Sequence, residues 1–363
     1  MSINDNRILK DKTFDKSRWI QLPRDVIAGH DALKQLPLVV SDLGMKGPLL
    51  VLSGKNTMNS VGQRVVGLLK DAGFEVGSLI VGEITYEEVT RVANYSQENR
   101  AVLLIAVGGG RVIDIAKIVS YNIDIQFISV PTAASHDGIA SSRASIHTDD
   151  GSVSVAAHPP LAIVADTELL ASAPHRLTAA GYADTIANYT AILDWDKSIR
   201  ETGEKGSEYA TALSMIAAEL MVENAHLIKE YDERAAWIVM KALFASGVAM
   251  SIAGSSRPAS GGEHKFAHML EKIAPGKVLH GEACGLGTIL SMYLHGGDWV
   301  RIRDSLRMIG APTNPAELGL SDEEVIEALV RAKEIRPERR TILDNLTEDE
   351  AREAVLALYE EDE

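Results

Sequence analysis

The sequence predicts an α/β N-terminal Rossmann-like parallel-sheet domain followed by an all-α C-terminal domain. Three observations carry that prediction. Short apolar runs alternate with amphipathic stretches up to residue 166, a glycine triplet joins one such run to a helix at 108–110, and only helical periodicity follows residue 167.

The elements follow in order. Residues 48–52, Pro-Leu-Leu-Val-Leu, make an apolar run that stops at Ser53-Gly54, the pattern of a buried strand. Val61, Val65, Val66 and Leu69 then mark the inner face of a helix. Further strands are predicted at 75–81, 101–107 and 125–130, with a largely surface-type helix at 86–99. Asp149-Asp150-Gly151 is a hairpin turn signal inside the β-prone stretch 144–155, and 161–165 is a last short strand. Helices are predicted at 210–228, 235–252 and 323–334, the last opened by Ser321-Asp322 as a cap. Thr347-Glu348-Asp349-Glu350 opens the final helix with a capping-box pattern. There is no internal repeat or low-complexity linker, so the division falls between a domain at 1–166 and a helical domain at 167–363.

Acidic residues outnumber basic ones, 51 to 36, for a formal net charge of −15. Such a surface repels polyphosphate backbones at long range and argues against nucleic-acid partners. The one cysteine, Cys284, permits neither an intramolecular disulfide framework nor an all-cysteine zinc site, which suits a reducing compartment. The segment Met1 to Arg18 has no apolar signal-peptide core, and no uninterrupted apolar stretch approaches the ~20 residues of a membrane span. A cytoplasmic protein without integral membrane association is expected.

The glycine triplet carries the first functional signal. In Gly108-Gly109-Gly110-Arg111-Val112-Ile113-Asp114 an apolar strand runs into glycines and then a helix, an arrangement that brings backbone N–H groups and a helix N-terminus close to an anion. Ile113 breaks the G-x-G-x-x-G fingerprint and no Walker A loop is present, so a plain tight turn remains open. Pro131-Thr132-Ala133-Ala134-Ser135, at the next strand end, would complete a pyrophosphate and nicotinamide-ribose cradle. The first strand ends in Ser53-Gly54-Lys55-Asn56-Thr57, without the carboxylate of an NAD-preferring site. NADPH should therefore be accepted, unless Lys55 is only a solvated loop lysine.

Metal-ligand chemistry lies in the second half. Asp184 follows Ala180-Gly181-Tyr182-Ala183 near a helix start, His264 and His268 share one helix face at i and i+4, and His280 comes 16 positions after His264. Asp and His ligands with an open position suit catalytic zinc. Lys265 stands where an H-E-x-x-H motif needs its Glu, so that protease motif is absent. Ordinary core or surface histidines are the alternative; Gly261-Gly262 and Gly281 weigh against it by marking close backbone approach.

With Pro131-Thr-Ala-Ala-Ser-His136-Asp137-Gly138-Ile139-Ala140-Ser141 and Ser256-Arg257-Pro258-Ala259-Ser260-Gly261-Gly262-Glu263-His264 added to the glycine segment, the chain resembles the archaeal sn-glycerol-1-phosphate dehydrogenases from Leu22 to about Gly310. It also resembles, less specifically, the wider dehydroquinate synthase-like superfamily, which includes glycerol dehydrogenases and iron-type alcohol dehydrogenases. The resemblance implies NAD(P)H-dependent reduction of dihydroxyacetone phosphate to sn-glycerol 1-phosphate for archaeal membrane phospholipids, with zinc polarising the carbonyl. It implies a nucleotide-binding domain at 1–166 and a metal- and substrate-binding domain at 167–363. It implies zinc on Asp184, His264 and His280, and catalytic or substrate contacts from Asp137, Asp184 and His268. Cofactor contacts are implied for Gly109, Gly110, Arg111, Val112, Ile113, Asp114, Thr132, Ala133, Ala134, Ser135 and Ser141, with NADPH or NADH as cofactor. Arg143, Arg257 and His268 are the donors available to a substrate phosphate, though Arg257 suits a role tying down the loop 255–262. His136 suits a structural or cofactor-neighbouring role. A homo-oligomer is expected, without a particular patch to assign it to. The alternatives are a polyol dehydrogenase acting on unphosphorylated substrate, a dehydroquinate synthase, and a catalytically silent metabolite sensor.

Overall fold

The computed structural model describes residues 20–148 and 151–359. Its strands are β1 (Asp25–Gly29), β2 (Leu49–Ser53), β3 (Val76–Ile80), β4 (Leu103–Gly108), β5 (Gln126–Pro131), β6 (Arg143–Thr148), β7 (Gly151–Ala156) and β8 (Ala162–Asp166). Six of them form one parallel sheet in the order β1-β8-β5-β4-β2-β3. The chain moves from β2 to β3 in one direction, then returns to lay β4 on the other side of β2. The crevice beyond the carboxyl ends of β2 and β4 is therefore a topological switch point, where open α/β sheets collect ligands.

The inner strands β2, β4, β5 and β8 are buried on both faces, whereas the edge strands β1 and β3 are partly exposed. Side chains alternate between faces along a strand, so Leu49, Val51, Leu103, Ile105 and Val107 close over Leu33, Leu36, Val39, Val65 and Leu69. Leu50, Leu52, Leu104, Ala106 and Phe127 point the other way, into a buried cluster that continues through the helical half as far as Leu358. Burying each leucine stabilises the fold by roughly 1.5–3 kcal/mol, so the second face fastens the sheet to the helices. Asp166, at the end of β8, adds a polar tie. Its Oδ2 accepts the Leu33 N–H at 3.0 Å, while its Oδ1 accepts the Leu169 N–H at 3.2 Å and caps the first helix of the following half.

All five strands predicted in the sheet are present. The hairpin is present too, as the antiparallel pair β6–β7, although its turn residues Asp149 and Asp150 lie outside the described residues, as does the segment Met1 to Arg18. The edge strand β1 was not anticipated. Its apolar run, Val26-Ile27-Ala28, is only three residues long, and it is held through its pairing with β8. The helix predicted at 210–228 breaks at Asn224 into Glu208–Glu223 and Ala225–Ile228, and the one predicted at 323–334 ends at Arg331 before a 3-10 turn. The caps at Ser321 and Thr347 are both formed.

One helix, Glu233–Ala253, is long and apolar enough to cross a membrane, with a mean hydropathy of 1.7. Lys241 interrupts it in the sequence, which hid it from a search for uninterrupted apolar runs. It is 72% buried over its apolar window and packs in the core, so the protein interior accounts for its composition.

Candidate active site

Gly108 of β4 sits in register with Pro131 of β5, which places the two loops that follow these strands side by side. The three glycines there have different tasks. A Cβ on Gly108 would come within 2.7 Å of Val112 Cγ2, and one on Gly110 within 1.8 Å of His136 Nε2; one on Gly109 would meet nothing within 4 Å. The outer two are required by packing, whereas Gly109 leaves open space at the N-cap of the helix Gly110–Ile123. Both readings of the triplet, tight packing and anion approach, thus have a residue that fits them.

The residues expected at the cofactor divide in the same way. Gly110, Arg111, Asp114, Ser135 and Ser141 line a cleft of about 480 Å³, while Val112, Ile113, Ala133 and Ala134 turn their side chains into the core. The Thr132 N–H donates to the Gly108 carbonyl at 3.1 Å and joins the two loops. Arg111 pairs with Glu83. Asp114 Oδ2 accepts the Ser145 N–H at 2.9 Å, and its Oδ1 lies 3.0 Å from the buried Lys117 Nζ. Lys117 also donates to Ser141 Oγ at 3.2 Å and to the Arg143 carbonyl at 2.6 Å. Asp114 and Ser141 therefore help lock the β6–β7 hairpin onto the helix Gly110–Ile123. Lys55 is exposed at the start of a single helical turn after β2.

His136 spans the gap between this wall and the floor of the cleft. Its Nδ1 accepts the Gly138 N–H at 2.9 Å, so the neutral ring carries its proton on Nε2, which is buried without a partner. Burial pushes its pKa below the usual imidazole range. It is neutral and positioned as a donor.

The floor gathers residues from three helices. Asp184 lies in the last turn of His175–Ile186, a helix that begins well before the expected start near 180. His264 and His268 stand on Gly262–Ile273, and His280 is the first residue of His280–Leu294. Glycines let these helices meet: a Cβ on Gly181 would lie 2.0 Å from the Ala134 carbonyl oxygen, one on Gly281 2.0 Å from that of Ala180, and one on Gly261 2.8 Å from Ala191 Cα. The close approach expected at Gly261 and Gly281 is real.

Asp184 Oδ2 accepts the Asp137 N–H at 3.1 Å. Its Oδ1 is buried with no hydrogen-bond partner, 3.5 Å from His264 Nε2 and 3.8 Å from His280 Nε2. Burial pushes its carboxyl up, but the neighbouring His264 and His280 outweigh burial and hold it at about 2. Asp137 goes the other way, raised to about 7 by burial and then by the charge of Asp184, with Ser246 Oγ donating to it at 2.8 Å. Burial, with the charges of His280 and Arg336 next, holds His268 well below its usual range. An ionised carboxylate oxygen buried without a partner, facing two imidazole nitrogens, is a donor set that suits zinc.

Two residues of the floor were not anticipated. Glu263, fully buried, accepts from His264 Nδ1 at 2.9 Å, Thr190 Oγ1 at 2.7 Å and the Gly261 N–H at 2.5 Å. That contact fixes the His264 tautomer and leaves Nε2 free for a metal. Its place directly before His264 was the available signal. Cys284 stands one turn after His280 with Sγ 3.5 Å from His280 Nε2, and the ligand atoms of Asp184, His264, His280 and Cys284 all lie within 4.8 Å of one another. The i, i+4 spacing from His280 was its signal.

Of the expected phosphate donors, Arg143 and His268 line the cleft. Arg257 does not. It is buried, forms an ion pair with Glu204 at 2.6 Å and donates to Ser198 Oγ and the Arg340 carbonyl, the anchoring role foreseen for it. Arg336, from a segment beyond the resemblance, lines the cleft instead.

The family described as iron-containing alcohol dehydrogenase matches residues 27–174. The NAD(P)+ glycerol-1-phosphate dehydrogenase of Methanocorpusculum labreanum is 72% identical over 362 residues, covering 99% of this chain and 100% of the relative. The enzyme of the same name from Methanoculleus marisnigri is 58% identical with the same coverage. Among solved structures, the glycerol dehydrogenase of Schizosaccharomyces pombe superposes with a TM-score of 0.79 at 21% identity, covering 94% of this chain and 90% of that one. A probable glycerol dehydrogenase from Sinorhizobium meliloti 1021 gives 0.77 at 22%, covering 94% and 98%. At that identity the two structures establish the fold alone.

Proposed function

This chain belongs to the glycerol-1-phosphate dehydrogenase family of NAD(P)-dependent oxidoreductases, and on that premise we propose that it reduces dihydroxyacetone phosphate to sn-glycerol 1-phosphate with zinc bound at Asp184, His264 and His280. The carrying observation is the unpartnered Asp184 Oδ1 facing two imidazoles at the floor of a cleft whose other wall is the glycine-rich strand end. When bound, zinc supplies Lewis-acid polarisation of the substrate carbonyl, and NADPH or NADH supplies the reducing equivalent.

The rest falls to the chain itself. Glu263 holds His264 with Nε2 toward the metal position, and the Asp137 backbone N–H fixes the orientation of Asp184. Asp137, positioned by Ser246, orients the C1 hydroxyl of the substrate and so selects the face that is reduced. His268, neutral and lining the cleft, offers a hydrogen bond to the substrate. The open side of Gly109 and the helix N-terminus at Gly110 receive the dinucleotide phosphates, and His136 Nε2–H faces the same wall. Residues 1–166 act as the nucleotide-binding domain and 167–363 as the metal- and substrate-binding domain, and the product enters archaeal phospholipid synthesis.

The test is nucleotide oxidation by the zinc-loaded protein with dihydroxyacetone phosphate, followed by chiral analysis of the product. Turnover to sn-glycerol 1-phosphate, abolished by a chelator and restored by zinc, supports the whole reading. Turnover of dihydroxyacetone or glycerol with none of the phosphate would move the chain to the polyol dehydrogenases.

A further inference from the structure

In a chain of net charge −15, one rim of the cleft is locally cationic. Arg143 and Arg336 both line it. Arg143 is held by Ser154, donating from Nε to its Oγ at 3.3 Å and from Nη2 to its carbonyl at 3.1 Å. Arg336 Nη1 donates to Ser256 Oγ at 3.4 Å, and Arg339 Nη1 donates to the same oxygen at 2.8 Å. Of the four guanidinium groups here, Arg257 alone has a carboxylate in ion-pair contact among the described residues, Glu204 at 2.6 Å.

Burial and the charge of neighbouring arginines push Arg336 below the usual guanidinium range and take Arg339 to about 9. Glu338 is an opposing charge for both Arg336 and Arg339, but partly buried guanidinium groups that repel one another still gain from an anion that joins them. The segment is not free to relax outward. Lys265 donates to the Arg339 carbonyl at 3.0 Å and to Asp344 Oδ1 at 2.8 Å, and Asp194 Oδ1 accepts the Ile342 N–H at 2.6 Å. These contacts clamp it to the helix that carries His264 and His268 and to the helix Asn188–Thr202. His268 lines the same cleft, with Glu271 Oε2 4.0 Å from its Nδ1, and feels the charge of both Arg336 and His280.

We propose that Arg143 and Arg336, aligned by Ser154 and Ser256, form the subsite that binds the phosphate dianion of a phosphorylated substrate. Planar guanidinium forks suit tetrahedral phosphate oxygens. The inference deepens the functional reading above and rests on it for the identity of the substrate.

Arg336 has φ +48°, in the left-handed region where asparagine is well tolerated, so Arg336→Asn removes the fork with least strain on the backbone. In the zinc-loaded enzyme, the ratio of kcat/KM for dihydroxyacetone phosphate over dihydroxyacetone is expected to fall about 100-fold in Arg336→Asn and comparably in Arg143→Met, as expected for a charged partner withdrawn from a phosphate. Arg336→Lys should recover part of the ratio, and phosphite dianion should accelerate turnover of dihydroxyacetone by the parent protein but not by Arg336→Asn. An unchanged ratio in folded variants, or equal losses on both substrates, would overturn the subsite. Calorimetric titration with inorganic phosphate separates this inference from the reading beneath it. If the parent protein prefers unphosphorylated substrate, the functional reading fails. Phosphate binding abolished by Arg336→Asn then still supports the subsite, and no phosphate binding by the parent sinks it.

Discussion

The two sides of the cleft are built by opposite means. The glycine-rich wall, from Gly108 to Ser141, presents backbone and empty space, and several of its side chains face the core or one another: Val112 and Ile113 inward, Asp114 to Ser145 and Lys117. The floor presents side chains. Asp184, His264, His280 and Cys284 converge from three helices, with His264 held by Glu263 and Asp184 by the Asp137 N–H. A wall of backbone should tolerate side-chain change except where a Cβ has nowhere to go. A floor of closely convergent charges should tolerate almost none.

Substitutions can break that contrast, and the largest effect should come from the floor. Asp184→Asn is expected to lose bound zinc, measured by atomic absorption, and to lower turnover by about 1,000-fold or more, since metal polarisation contributes several kcal/mol. Normal zinc content and turnover in this variant would remove the metal assignment. Glu263→Gln should weaken zinc binding by about 10–100-fold in a competition titration against a chelator, the usual effect of losing an outer-shell carboxylate. An unchanged zinc affinity would mean that the His264 tautomer does not depend on Glu263.

Smaller effects should separate the glycines of the glycine-rich wall. Gly110→Ala drives a Cβ into His136 and should cost about 1–3 kcal/mol in a denaturant melt, as overpacking does. Gly109→Ala should change stability by less than about 1 kcal/mol, because its φ of −81° suits alanine and nothing lies within 4 Å. It should nonetheless weaken dinucleotide binding in a fluorescence titration by roughly 10-fold, the order of one lost charge-assisted hydrogen bond. If Gly109→Ala were the more destabilising of the pair, the division of labour between the glycines would be wrong. The smallest effect is expected at Lys55→Ala, a few-fold rise in KM for NADPH and none for NADH, since one exposed cation adds under about 1 kcal/mol.

Much of this was visible in the residues. The buried strands announced themselves because burial on both faces forces continuous apolar runs such as Leu49 to Leu52, and the helix caps at Ser321 and Thr347 are local chemistry. The edge strand β1 was not visible because its apolar run, Val26-Ile27-Ala28, is too short to mark a strand. Asp184, His264, His268 and His280 could be named from residue type and spacing, whereas Arg336 lay beyond any motif that resemblance covers.

By itself the sequence determined what depends on short stretches of chain: the α/β-then-α order, the glycine turn after β4 and the i, i+4 histidines. Tertiary structure alone decided what depends on distant segments meeting. It brought Asp184 within 3.8 Å of a histidine 96 positions later, set Gly110 against His136, enlisted Glu263 and Cys284, and turned Arg257 to Glu204 while leaving Arg143 and Arg336 at the cleft. The reason is physical. Periodicity and capping act over a few residues, whereas the environment of a buried charge is set by whichever helices pack around it.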